Sequence, residues 1–292
     1  MSTTRPSSLA YAAWLAVCLL WGTTYLGIRI ALESVPPMLV GALRWTTAGI
    51  AILVAAAALG ESMPAVRAWP ALAGLGVLLI GFGNGGVVWA EQTLPSGLTA
   101  VLVALVPFWM VGVERLAGKS EPLTLSRGLG LVIGFVGIVL LVWPELRLGE
   151  GRAFFGAVAA TQLACVGWAI GSTYSRRRAR TENVLVAAAA QMLFGGLAML
   201  AAGSLRGEWS HLAVTSRSAG AMVYLVVFGS VAGFSAYAYA LKHLPVATTS
   251  LYAYVNPIIA VILGTLILNE PWSPRLAVAG VTVLAGMAMV RR

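Results

Sequence analysis

Two sets of aromatic, thiol and hydroxyl side chains recur in this sequence at one spacing. They are Trp14, Cys18, Trp21 and Tyr25 in the first set, and Thr161, Cys165, Trp168 and Ser172 in the second. Steps of four, three and four residues place each set on one face of an α-helix. These groups can stack on apolar surface and form hydrogen bonds, which is binding chemistry without net charge. Trp21 and Trp168 are interpreted as lining a cavity, whereas Trp14 suits a membrane interface.

The elements that carry these residues are predicted to cross a membrane. The chain has 292 residues, of which 59% are hydrophobic and 10% charged, and its mean hydropathy is +0.88. A spanning helix needs about 20 mainly apolar residues. Using Pro, Gly and charge clusters as boundaries predicts ten spans: 11–31, 37–59, 70–90, 97–117, 126–143, 153–174, 183–203, 218–240, 247–268 and 274–290. We therefore expect an all-α polytopic membrane protein.

The second half of the chain repeats the first. The segment Gly22-Thr23-Thr24-Tyr25 matches Gly171-Ser172-Thr173-Tyr174 at a shift of 149, and Pro95 and Pro107 match Pro245 and Pro257 at a shift of 150. Glu121-Pro122 likewise matches Glu270-Pro271, and Gly130 matches Gly280. Each half, 11–143 and 153–290, has five predicted spans. Because five is odd, the second repeat is expected to be inverted.

The basic residues predict the orientation of the chain. With the N-terminus inside, twelve Lys and Arg residues fall on the cytoplasmic side and six on the other. This bias predicts that both termini are cytoplasmic. The net charge of +9 is interpreted as topology and lipid headgroup contact rather than nucleic-acid binding, because the basic residues lie between spans. Cys18 and Cys165 fall mid-span and are interpreted as small buried hydrophobes.

Several further residues are candidates for the site or its motion. Pro107 and Pro257 fall near the middle of two spans, where each is expected to kink the helix and free a backbone carbonyl. Asn84 lies at depth in a glycine-rich span, with a helix partner or a wet cavity left open as alternatives. Tyr25 and Tyr174 are either paired gates or interface anchors. Arg44 is expected to be a structural latch, with Glu33 as a candidate partner.

The missing residue types exclude other chemistry. The spans lack the clustered His, Cys, Asp and Glu side chains that a metal site needs, and no Ser has a His at the same depth. We therefore expect no metal, no cofactor and no enzymatic activity. Glu91 is expected to be solvated near a span exit. Because no buried carboxylate is apparent, weak or absent proton coupling is also expected.

The motifs resemble one transporter family. They are "LLWGTTYLGIRIAL", "ALRW", "LVPFW", Glu121 before a Gly-rich span, "NPIIAVILGTLILNEP" and "AGVTVLAG". Together they resemble the EamA type of the drug/metabolite transporter (DMT) superfamily over nearly the whole chain. The resemblance implies a ten-helix inverted-repeat carrier that exports small metabolites, as amino-acid exporters of the YddG kind do. Lining residues carried over span by span are Trp21, Asn84, Trp168, Tyr239, Ser250 and Tyr252.

The sequence thus predicts a bacterial inner-membrane carrier that exports small metabolites, with amino acids the leading class, by alternating access. The expected substrate-binding residues are Trp21, Tyr25, Asn84, Trp168, Ser172, Tyr239, Ser250 and Tyr252. Its partners would be the small-molecule substrate and membrane lipid, with no nucleic acid. A monomer is expected and a homodimer stays open. Efflux of hydrophobic drugs is the alternative function, and a non-transporting sensor or assembly subunit is a further one.

Overall fold

The computed structural model describes residues 8–117, 124–148, 151–177, 183–244, 249 and 251–291. These residues are almost entirely helical, and the described ranges contain no β-strand. The helices are α1 (Ser8–Ala31), α2 (Pro37–Ala58), α3 (Val66–Ala90), α4 (Ser96–Leu116), α5 (Leu125–Leu148), α6 (Arg152–Arg177), α7 (Val184–Leu205), α8 (Ser216–Tyr224, Leu225–Ala232 and Gly233–His243), α9 (Tyr252–Leu268) and α10 (Pro274–Arg291). The prediction of an all-α polytopic protein is confirmed. Ser250 and Glu121 lie outside the described residues.

Helices long and apolar enough to cross a membrane are α1, α2, α3, α4, α6, α7 and α8, seven in the described part of the chain. Shorter apolar stretches occupy α5, α9 and α10, over Gly128–Gly137, Val255–Leu268 and Pro274–Met289. Several helix starts have an evident local cause. Asn183 accepts a hydrogen bond from the Leu185 backbone nitrogen at 2.9 Å, and Thr215 and Ser218 form a reciprocal capping box.

Close glycine contacts join helices of the two halves. A Cβ atom at Gly196 of α7 would lie 2.5 Å from the Thr46 backbone nitrogen of α2. A Cβ atom at Gly286 of α10 would lie 2.5 Å from the Gly134 backbone nitrogen of α5. Since real Cβ atoms do not approach backbone this closely, only glycine permits these crossings. The pairs α2–α7 and α5–α10 therefore each bring together helices that occupy equivalent places in the two halves.

Two helices contain a π-helical segment at equivalent positions. In α3 it covers Val77–Asn84, and in α8 it covers Leu225–Ala232, so each segment has eight residues. A π-helical segment has a wider turn than an α-helix, and such segments occur frequently at functional sites. Both segments face the interior of the bundle through buried residues, Ile80 in α3 and Ser230 in α8 among them.

Helix α1 is interrupted within the sequence "WGTTY". Its two parts, Ser8–Gly22 and Thr24–Ala31, flank Thr23. The Thr23 hydroxyl donates to the Leu20 carbonyl at 2.8 Å and also contacts the Tyr224 hydroxyl of α8. The Thr24 hydroxyl donates to the Trp21 carbonyl at 2.7 Å. These hydroxyls satisfy backbone carbonyls at the interruption, which accounts for polar groups in an apolar helix.

Helix α4 is interrupted at Ala104 and Leu105, just before Pro107. Near this break the Leu102 carbonyl accepts a hydrogen bond from the Gln162 side chain of α6 at 3.4 Å. Pro257, by contrast, lies inside continuous helix, within Tyr252–Leu268. The break at Pro107 therefore has no counterpart of the same kind at Pro257, although the two prolines match in the sequence repeat.

Candidate functional site

The predicted stripe on α1 faces the interior of the bundle. Cys18 is 0% exposed, whereas Leu15 and Leu19, which point away from the stripe, are each 51% exposed. Trp21 and Tyr25 are half-buried on the same side as Cys18. The helical spacing therefore identified the protein-facing side of α1 correctly.

Trp21 forms an aromatic cage with side chains of α8 and α9. Its ring centroid lies 4.9 Å from Phe234, 5.2 Å from Tyr237 and 4.9 Å from Tyr252. Tyr237 and Tyr252 lie 6.0 Å apart and edge to face. We call Trp21, Phe234, Tyr237 and Tyr252 the aromatic cage. It presents aromatic faces and edges from three helices, which suits contact with an apolar group.

The π-helical segment of α8 holds Trp21 in the cage. The Trp21 indole nitrogen donates to the Gly229 carbonyl at 3.1 Å. A Cβ atom at Gly233 would lie 2.5 Å from that indole nitrogen, so a larger residue would displace the ring. The hydrogen bond to Gly229 and the space left by Gly233, which has no side chain, therefore fix the position of the indole.

The second stripe also faces protein. Thr161 and Cys165 are 0% and 2% exposed, whereas Leu163 and Ile170 on other faces of α6 are 56% and 43% exposed. Trp168 packs against the π-helical segment of α3, where a Cβ atom at Gly83 would lie 3.4 Å from its ring. Each of Trp21 and Trp168 thus contacts the π-helical segment of the other half of the chain.

The remaining candidates lie in separate surroundings. The Asn84 amide donates to the Leu79 carbonyl of its own π-helical segment at 3.4 Å. Ser172 is half-buried on α6, and Tyr174 is 51% exposed. Tyr239 stacks on His243 with ring centroids 4.2 Å apart, outside the aromatic cage. The sequence singled out Tyr239 on α8, but the structure brings Tyr237 into contact with Trp21.

Asn256 of α9 joins the cage to α1. With its amide nitrogen turned toward neighbouring carbonyl groups, Asn256 donates to the Cys18 backbone carbonyl at 3.2 Å and to the Tyr252 backbone carbonyl at 3.1 Å. It is 8% exposed. One amide therefore connects the backbones of two helices beside the cage.

Arg44 has different partners from those expected. It is 4% exposed, and its Nε donates to the Ser230 hydroxyl of the α8 π-helical segment at 2.9 Å. Its guanidinium carbon lies 4.2 Å from the centroid of the Trp45 ring. Glu33 instead pairs with Arg217 at 2.9 Å, so the expected Arg44–Glu33 pair is wrong. Arg44 reaches inward from α2, away from the exposed end where Glu33 lies.

Glu91 is buried, which corrects two expectations. It lies one residue beyond α3, is 0% exposed, and neither carboxyl oxygen has a hydrogen-bond partner. Glu91 is therefore not solvated, and the argument against proton coupling from missing buried carboxylates is wrong. The burial of Glu91 could not be predicted from the sequence, because residues distant in the chain cover its side chain.

Arg29 closes the bundle beside Glu91. Its guanidinium donates to the backbone carbonyls of Glu91 and of Gln92, the latter at 3.2 Å, and its Nε lies 4.0 Å from the Glu270 carboxylate. Glu270 in turn accepts hydrogen bonds from the Ser96 backbone nitrogen and hydroxyl, both at 2.8 Å. We call these five residues, Arg29, Glu91, Gln92, Ser96 and Glu270, the Arg29 latch. It ties together α1, α3, α4 and the segment after α9.

Tyr25 is half-buried on the inward side of α1. It interacts electrostatically with Glu91, Arg44 and Cys165, which belong to three other parts of the bundle. No group of three or more His, Cys, Asp or Glu side chains within the described ranges could hold a metal ion. The described residues therefore include an aromatic cage, a buried arginine and a buried carboxyl as candidate functional groups.

Comparison with known proteins gives the family. The model of the EamA-like transporter family matches residues 8–143 and again residues 155–292. The chain belongs to the EamA-like transporter family. Among similar proteins, the inner membrane transporter YedA of Escherichia coli K12 is 35% identical over 257 residues, covering 87% of this chain and 81% of YedA. The membership of this chain in the family confirms the resemblance that the sequence motifs indicated.

Other relatives are more distant. Protein PecM of Dickeya dadantii is 27% identical over 282 residues, covering 96% of this chain and 91% of PecM. The transporter YoaV of Bacillus subtilis is 20% identical, covering 94% of each chain. A solved crystal structure superposes with a TM-score of 0.67 at 24% identity, covering 98% of each chain, which shows the fold. The chain is a membrane transporter, and its family and relatives indicate a transporter rather than an enzyme.

Sequence reasoning missed Phe234, Ser230 and the burial of Glu91. Phe234 is an apolar residue in an apolar span, and its contacts with Trp21 and Trp45 show its place. Ser230 stood among apolar residues of α8, and its position opposite Arg44 depends on how α2 packs against α8. The position of Glu91 at the end of a span gave no signal of its burial, which depends on residues distant in the chain.

Proposed function

We propose that this EamA-like protein exports small zwitterionic metabolites, with amino acids the leading class, across the bacterial inner membrane by alternating access. The observation that carries the proposal is the aromatic cage, where Trp21 meets Phe234, Tyr237 and Tyr252 from two other helices. Aromatic faces without net charge suit the apolar side chain of an amino acid.

A buried positive charge beside the cage supports a substrate with a carboxylate. Arg44 bonds Ser230, one residue from the Gly229 carbonyl that holds Trp21. Trp21 and Arg44 therefore reach the same stretch of this π-helical segment, since a Cβ atom at Gly229 would lie 3.2 Å from an Arg44 guanidinium nitrogen. A zwitterion could place its apolar part on the rings and its carboxylate toward Arg44. A hydrophobic cation, as in drug efflux, would gain nothing from Arg44.

The membrane arrangement that we propose has ten spans. The three shorter helices α5, α9 and α10 also cross the membrane, beside the seven long apolar helices. The spans form two inverted repeats, 11–143 and 153–290. Both termini are cytoplasmic. The double match of the family model and the equivalent π-helical segments in α3 and α8 support the repeat. In this orientation the Arg29 latch lies on the periplasmic side, and opening it would expose the cage region to that side.

The experiment is a transport panel with the purified protein in liposomes. Counterflow of each of the twenty amino acids, radiolabelled, is measured beside uptake of a fluorescent hydrophobic cation. Saturable counterflow of one or more amino acids, absent from empty liposomes, is the expected result. Flux of the cation alone would replace the proposal with drug efflux. No flux of any solute would favour a sensor or assembly subunit instead.

A further inference from the structure

Glu91 occupies a position that an ionised carboxylate tolerates poorly. It is 0% exposed and both of its carboxyl oxygens lack hydrogen-bond partners. Its neighbours Val88 and Ala90 are packed in apolar clusters. Transfer of an unpaired carboxylate into such surroundings costs several kcal/mol, and proteins avoid this cost by binding a proton.

The charged groups around Glu91 do not neutralise it by direct pairing. Arg29 of α1 uses its donors on the Glu91 and Gln92 backbone carbonyls and approaches Glu270. Arg44 of α2 donates to Ser230. Glu270, after α9, adds a like charge, and Tyr25 of α1 interacts with Glu91 as well. Burial raises the pKa of the Glu91 carboxyl, Glu270 raises it further, and Arg29 and Arg44 lower it.

An open depression lies beside the latch, next to the residue that follows Glu91. Gln92, the next residue, is exposed and lines an open depression of about 430 Å³ together with Glu33, Glu208 and His211. The backbone of both Glu91 and Gln92 is held by Arg29. Release of Arg29 would therefore free the backbone at Glu91 and Gln92, and the Glu91 side chain could then reach this depression.

We propose that Glu91 is the proton-binding site of this transporter, protonated while the Arg29 latch is closed and deprotonated when the latch opens to water. The step is a proton transfer between water in the depression and one carboxyl oxygen. Because the closed latch holds one more proton than the open one, low pH favours closing. As the pH rises through the pKa of the closed state, closing becomes less favourable. Proton binding would thereby be coupled to opening at this end.

The test does not require a known substrate, so its failure is distinct from failure of the proposed function. The full-length protein in lipid is titrated from acid to alkaline pH, and the infrared C=O band of protonated carboxyl groups is recorded. We expect a band in the wild type that persists well above the pH at which ordinary glutamates ionise. It should be absent in Glu91→Gln and retained in Glu61→Gln, which changes an exposed carboxyl that accepts from Asn183.

Two further variants complete the test. Glu91→Leu should also lack the band and should be at least as stable as the wild type, because it removes two unpaired oxygen atoms. Arg29→Lys keeps the positive charge but cannot reach all partners of the latch, so the latch opens more readily to water and the band should titrate at lower pH. A band that survives in Glu91→Gln, a wild type without the band, a destabilised Glu91→Leu or an unmoved band in Arg29→Lys would each overturn the proposal.

Discussion

The indole nitrogen of Trp21 and the carbonyl oxygen of Gly229 lie 3.1 Å apart and form a hydrogen bond across the two halves of the chain. Gly229 belongs to a π-helical segment, and its carbonyl accepts from a side chain of another helix. The position of the aromatic cage therefore depends on the backbone of α8 as much as on the aromatic residues.

Gly233→Ala should displace Trp21 and impair transport. The new Cβ atom would lie 2.5 Å from the indole nitrogen, so the ring must move away from Gly229. We expect a loss of about 1–3 kcal/mol of stability from overpacking and a marked fall in counterflow. Gly220→Ala is the matched control, because it lies on α8 with nothing within 4 Å of its Cβ position. Equal counterflow in the two variants would argue against a fixed Trp21.

Trp168→Ala should lower transport more than its effect on stability explains. Trp168 packs against the α3 π-helical segment at Gly83, whereas Trp69 packs against Phe194 with ring centroids 5.9 Å apart. Truncating either half-buried ring should cost up to about 3 kcal/mol of stability. Counterflow and thermal denaturation are measured for Trp168→Ala and Trp69→Ala. A parallel loss of flux in both variants would remove Trp168 from the site.

Gly196→Ala should destabilise the contact between α2 and α7. Its Cβ atom would lie 2.5 Å from the Thr46 backbone nitrogen, which cannot give way as a flexible side chain could. We expect a loss of about 2 kcal/mol, seen as a lower denaturation temperature in lipid or detergent. Gly74→Ala on α3, with open space around its Cβ position, should leave that temperature nearly unchanged. Similar temperatures for the two variants would contradict the close crossing.

The helical spacing of side chains and the clusters of Pro, Gly and charged residues predicted the helical class and the inward side of α1 and α6. The reason is that burial of one helix face imposes a regular spacing, as for Cys18 and Cys165. Contacts between distant residues were not predictable in the same way. Arg44 meets Ser230 rather than Glu33, and Trp21 meets Tyr237 rather than Tyr239, because these choices depend on helix rotation and crossing. The two π-helical segments left no spacing signal either.

The most direct measurement of the central claim is amino-acid counterflow through the protein in liposomes, compared between wild type, Trp21→Leu and Trp272→Leu. Trp21→Leu removes the ring at the centre of the cage, whereas Trp272, 56% exposed, lies outside it. The account predicts saturable counterflow in the wild type, a several-fold weaker flux with Trp21→Leu, and wild-type flux with Trp272→Leu. Wild-type flux with folded Trp21→Leu, or no amino-acid flux through the wild type, would contradict it.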